Sequence, residues 1–120
     1  MTTIPHGHGI KIFHNQTVPA DGTVESGWHG LDGYWHQHSI NGKFAGAGTL
    51  KIEYKIASIA DDTYGDYDFT PISGYSAAAN SPFIIGIPLL PSYYIKFRLT
   101  ETGTTNDITG LHLYFVQTGG

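Results

Sequence analysis

Apolar and polar positions alternate with a period of two along much of the chain. In TLKIEYKIAS (49–58), Leu50, Ile52, Tyr54 and Ile56 fall on one face and Lys51, Glu53 and Lys55 on the other. That is the pattern of a β-strand with one buried and one wet face. SYYIKFRLTET (92–102) repeats it, with Tyr93, Ile95, Phe97 and Leu99 inward against Tyr94, Lys96 and Arg98. GLHLYFVQ (110–117) sets Leu111, Leu113 and Phe115 against His112, Tyr114 and Val116. GIKIFHN (9–15) reads as another strand, the stretch around LDGYW (31–35) as one or two more, and FIIGIPLLP (83–91) as a short buried strand ending at a Pro-bounded turn. Helical periodicity is absent, and AAAN (77–80) is too short and too near Pro82 to count.

Turn signals punctuate these runs. QTVPADGT (16–23) turns at Asp21-Gly22, and the polar TETGTTND (100–107) reads as a hairpin loop pairing its flanking strands. ADDTYGDYDFTPISGYSAAANS (60–81) reads mostly as loop, with short strand pieces near Tyr67 to Thr70. Roughly seven or eight short strands with turns every ~8–12 residues predict an all-β fold, an antiparallel β-sandwich of jelly-roll type. The expected organisation is a flexible N-terminal arm over residues 1–9 and a single sandwich domain over residues 10–120.

Composition sharpens this picture. A chain of 120 residues, 40% of them apolar, can fill one core. Only 13% of residues are charged while Gly numbers 16, so the surface is finished by Thr, Ser, Asn, Tyr and Gly. The net charge is −4 and the 6 Lys and Arg are scattered singly along the chain, which argues against a nucleic-acid partner. Cysteine is absent, excluding disulfides and thiolate metal sites. The N-terminus lacks the order of a signal peptide and no apolar run is long enough for a transmembrane helix, so the expectation is synthesis in a cytoplasm with no membrane partner.

Candidate chemistry concentrates in SGWHGLDGYWHQHS (26–39). Trp28, Tyr34 and Trp35 can form a platform for a sugar ring, with Asp32 bonding its hydroxyls. The plainer reading puts Trp35 in the core and Trp28 over an edge. His36 and His38, two apart on an extended segment, are weak candidates for two legs of a Zn²⁺ or Ni²⁺ site, but no third ligand is identified, so no metal or other cofactor is assigned. His6 and His8 in PHGHG fit an arm that orders on a partner better than a metal-binding tail. Asp61, Asp62, Asp66 and Asp68 could face a Ca²⁺ ion, although their spacing is not that of an EF-hand, and a solvated acidic loop is the plainer reading. No nucleophile–base pair, paired acids or phosphate loop stands out, so the expectation is a protein that is not an enzyme.

The order of elements resembles the small β-sandwich virion structural proteins of tailed bacteriophages. The matching residues are Gly27, Trp28 and Leu31 to Tyr34 in the opening G-W-x-x-L-D-G-Y strand, then Arg98 to Gly103 with Asn106 in the closing R-L-T-E-T-G-x-x-N stretch. The resemblance spans about residues 24–117, is one of element order more than of a diagnostic motif, and leaves the HGHGIKI arm unmatched. It implies a capsid decoration (cement) protein or tail component located in the virion. Such a protein would be a homotrimer, with the major capsid protein or another virion protein as partner. Tyr94 and Tyr114, on faces expected to be outward, are the candidate contacts of that interface, with His6 and His8 of the arm. A carbohydrate- or receptor-binding module using Trp28, Tyr34 and Trp35 is the alternative, and a cupin-like metal protein built on His36 and His38 is a weaker one.

Overall fold

The alternating segments pair as strands in a computed structural model that describes residues 7–31, 37–61, 68–72, 80–88 and 93–119. Among these residues there are nine strands: β1 (Gly7–Val18), β2 (Thr23–Glu25), β3 (His29–Gly30), β4 (Gln37–Gly46), β5 (Leu50–Ala57), β6 (Thr70–Ile72), β7 (Phe83–Ile87), β8 (Tyr94–Glu101) and β9 (Ile108–Thr118). They form two antiparallel sheets. One has the order β1-β9-β4-β7 and the other β2-β8-β5-β6, with β3 also on β8. Because β2 and β3 lie along the same strand, they act as one interrupted strand, giving the eight-strand, two-sheet order of a jelly roll. At the interruption, the Ser26 hydroxyl accepts the Phe97 N–H at 2.9 Å, and the Ser26 N–H donates to the Phe97 carbonyl at 2.8 Å. A side-chain oxygen thus stands in for a missing ladder acceptor.

Alternation decides what fills the space between the sheets. Ile52, Ile56, Ile95, Phe97 and Leu99 from one sheet meet Ile40, Phe44, Leu111, Leu113 and Phe115 from the other, and all are buried. Phe97 and Phe115 touch across the sandwich with ring centroids 5.5 Å apart. Tyr54 is partly buried against this cluster, as its place in the alternation predicts.

Several sequence expectations change. The stretch 100–107 is not a hairpin: β8 and β9 lie in different sheets, and the segment carries the chain across the end of the sandwich. The buried Glu101 carboxylate organises that corner. It accepts N–H groups from Asp21 (3.1 Å), Thr49 (2.7 Å), Gly103 (2.7 Å) and Thr104 (2.7 Å), tying three turns together. These donors outweigh burial and lower its pKa to about 2. Tyr93, expected inward, precedes β8 and is 70% exposed. FIIGI is not buried on both faces. As the last strand of its sheet it alternates, leaving Ile84 78% exposed. Gly7, His8 and Gly9, assigned to the arm, belong instead to β1, where they oppose Thr118, Gln117 and Val116.

Candidate functional site

The outer face of the β2-β8-β5-β6 sheet gathers charge that is dispersed in the sequence. Lys51, Glu53 and Lys55 of β5 lie beside Thr100, Arg98 and Lys96 of β8, and Glu25 of β2 opposes Arg98. Four of the chain's 6 basic residues therefore share one face. Antiparallel pairing brings them together because residues two apart on a strand point the same way. Arg98 donates to both Glu53 oxygens at 2.9 and 3.1 Å, a bidentate fork, while Lys51 Nζ lies 3.8 Å from the same carboxylate. The Glu53 hydrogen bond is also the main reason the Arg98 pKa is raised.

Aromatic rings close over these cations from both sides. The Arg98 guanidinium lies 4.1 Å from the Phe69 ring centroid and Lys55 Nζ 5.6 Å from it. Lys96 Nζ lies 5.4 Å from the Trp28 ring and 3.2 Å from Glu25 Oε1. Lys96 and Glu53, expected on a wet face, are consequently buried. Trp28 Nε1 is itself buried without a hydrogen-bond partner, the one such side-chain atom among the described residues. His29 beside it is half-buried, and desolvation lowers its pKa. Trp28 thus acts as a lid over Lys96, with one ring face already taken by a cation.

The two tyrosines singled out in the sequence occupy opposite sides of the sandwich. Tyr94 is half-buried on the cationic face, opposite Ala57 and Gly30. Tyr114 is half-buried on the outer face of the other sheet, flanked by Lys11 and Asn41, with Lys11 Nζ 5.7 Å from its ring. His112 on the same face meets His14 edge to face at 4.9 Å. No one flat surface can touch both tyrosines.

His38 is half-buried and stacks on the core ring of Phe115, with centroids 5.8 Å apart and planes 7° from parallel. Beside it runs a cleft of about 550 Å³ lined by Gln37, His38, Ser39, Gly86, Ile87, Pro88 and Thr118. His6, Asp32, Tyr34, Trp35 and His36 lie outside the described residues, as do Asp62 and Asp66. Of His8 only the backbone is described. Among the described residues no three His, Asp or Glu side chains converge as metal ligands. Sequence reasoning missed Glu25, Glu53 and Phe69 because their significance lies in cross-strand register. It also missed Glu101, the corner anchor, for which the one available signal was its place in the TETG run.

No protein-family model matches the chain, and no curated protein sequence matches it. Among solved structures, it is similar to VP2 of the infectious bursal disease virus subviral particle, with a TM-score of 0.54 and 13% identity over 95% of this chain and 33% of that one. It is similarly related to a structure of the Gx strain of that virus, with a TM-score of 0.54 and 15% identity over 97% of this chain and 33% of that one. The chain therefore spans about a third of the length of these proteins. The SPBc2 prophage-derived protein YomS matches with a TM-score of 0.48 and 17% identity, over 99% of this chain and 98% of that one. At these identities the likeness to VP2 is one of fold.

Proposed function

We propose that this protein is a non-enzymatic structural component of a virion, most simply a capsid decoration protein of a bacteriophage that self-associates and braces the capsid lattice. The observation that carries the reading is the jelly roll itself, 95% of which aligns with 33% of the VP2 chain of a subviral particle. The described side chains agree with a scaffold role. Glu101 spends its oxygens on backbone N–H groups, and Glu53 is forked by Arg98. With its pKa lowered to about 2, Glu101 is an anchor, because general acid–base catalysis calls for a pKa near the working pH.

Attachment follows from many modest contacts repeated over a lattice, where effective concentration turns weak single-site affinity into stable binding. Tyr94 and Tyr114, on opposite faces, would serve two different neighbours, and the N-terminal arm with His6, together with His8 at the start of β1, a third. The self-assembly implied by the phage resemblance is a homotrimer. Co-sedimentation with empty capsids of the major capsid protein, followed by light scattering with and without EDTA, tests the reading. Capsid binding and a mass of three protomers of 13.0 kDa, or a multiple of it, that ignores EDTA are expected. Failure to bind capsids together with recognition of a glycan by the isolated domain would overturn it in favour of a carbohydrate-binding module. The closed contact of Trp28 with Lys96 favours the structural reading over that one.

A further inference from the structure

Sheet edges expose unpaired N–H and C=O groups, and proteins that remain single usually block them with bulges, prolines or charges. Among the described residues, three of the four edges are blocked. β1 departs from regular register with β9 at three points, carries Lys11, and holds Asn15 at φ 49°. β6 contains Pro71, which has no N–H. The β2–β3 edge is interrupted between Glu25 and His29 and carries the charge of Glu25.

Among the described residues, the β7 edge has none of these devices. Phe83–Ile87 reads FIIGI, without charge or proline, and runs in unbroken register with β4 from Phe83 opposite Gly42 to Ile87 opposite His38. Its outer face leaves Ile84 78% exposed. Two residues on, Gly86 faces open space: a Cβ built there meets nothing within 4 Å.

We infer that β7 is a self-association edge, on which a second copy of this chain pairs antiparallel about a two-fold axis centred on Ile85. In that register Ile84 lies opposite the partner's Gly86, so an exposed knob meets an open position, and the symmetry makes the same fit twice. Phe83 lies opposite the partner's Ile87, continuing the inner apolar layers of both sandwiches. Pro82 falls opposite the partner's Pro88, and neither can donate, so the ladder ends on both sides. The occupant is a second copy because knob and gap are spaced symmetrically about one residue. The neutral strand also lets two chains of net charge −4 approach without local repulsion.

The contact rests on the fold and not on the virion reading. It joins two single protomers, or two larger assemblies whose β7 edges all meet in pairs, and in either case its loss halves the mass. The test is light scattering over a concentration series on the wild type, Gly86→Val and Ile84→Lys, with Ile59→Lys as a control at another exposed isoleucine. Gly86→Val meets open space within one copy and favours a strand, so it keeps the wild-type circular dichroism and melting behaviour, but its side chain collides with the partner's Ile84. Gly86→Val and Ile84→Lys are expected to show half the wild-type mass, and Ile59→Lys the full mass. A wild type that stays at 13.0 kDa at every concentration, or whose mass neither variant changes, overturns the proposal. So does a wild type that gains mass only when another virion protein is added, since β7 would then accept a foreign strand. Capsid binding is scored separately on Gly86→Val: its presence or absence bears on the virion role, and the mass ratio bears on the edge.

Discussion

Among the described glycines, the closest approach to a neighbouring strand is at Gly42, in the middle of β4, and it defines a sharp perturbation. Gly42 sits between Phe83 of β7 and Leu113 of β9. A Cβ at this position would overlap the His112 carbonyl oxygen and lie 2.9 Å from Phe83 Cζ and 3.4 Å from Leu113 Cδ1. The Phe83 ring could swing away, but the carbonyl belongs to the backbone of β9, which is paired on both sides. Relief requires β4 and β9 to separate, so Gly42→Ala should cost about 3 kcal/mol, the upper end of the usual range for overpacking. With an unfolding entropy of about 2.1 cal/mol/K per residue, each kcal/mol is worth about 4 °C in a chain of this size, so Tm should fall by about 12 °C. Gly9→Ala is the control, because a Cβ there meets nothing within 4 Å. It should gain about 0.5–1 kcal/mol from the lower conformational freedom of the unfolded chain. Differential scanning calorimetry of both variants decides the matter. A Gly42→Ala melting point within about 2 °C of wild type, the size of an ordinary surface substitution, would refute the claim that the β4–β9 spacing is rigid.

Other outcomes follow from the corner and the cationic face. Glu101 has its pKa lowered from 4.5 to about 2, so its contribution to stability is fully present above about pH 4.5 and is lost as pH falls toward 2. Glu101→Gln should therefore melt below wild type at pH 7, with the gap closing on acidification; a gap independent of pH from 7 to 2 would refute the ionised anchor. In a urea double-mutant cycle, Arg98→Ala and Glu53→Gln should show coupling of about 1–3 kcal/mol, since a buried carboxylate would lose its fork, and coupling below about 0.5 kcal/mol would mean the pair is solvated. Trp28→Ala should remain folded and lose about 1 kcal/mol or slightly more as Lys96 is uncovered, measured by urea unfolding. Loss of a glycan-binding signal in that variant, with stability unchanged, would instead assign Trp28 to a ligand platform.

The alternation in residues 49–58 and 110–117 made the inward positions legible because each side chain's face depends only on its own strand. The break at Tyr93 was not legible: a strand's start depends on where its partners begin, and the registers of β3 and β5 with β8 begin at Tyr94, with the Leu31 N–H to the Tyr93 carbonyl as a further bond at 2.8 Å. The hairpin expected at 100–107 failed for a related reason. Two successive strands that cross between sheets both turn their apolar residues toward one core, as they would if paired, so their pattern is the same in either case. Burial of Lys96 and Glu53 escaped notice because the rings and charges that cover them come from segments far away in sequence.

The sequence by itself determined the class of fold, the inward face of each long strand and the residues that fill the core, since these follow from a two-residue period and the cost of exposing apolar surface. Only the tertiary structure decided which strands are neighbours, and with that which residues act together. Pairing gathers Lys51, Lys55, Lys96 and Arg98 beside Glu25 and Glu53, draws three turns to Glu101, and leaves β7 at the edge of its sheet. These juxtapositions depend on contacts between residues distant along the chain, which no local periodicity encodes.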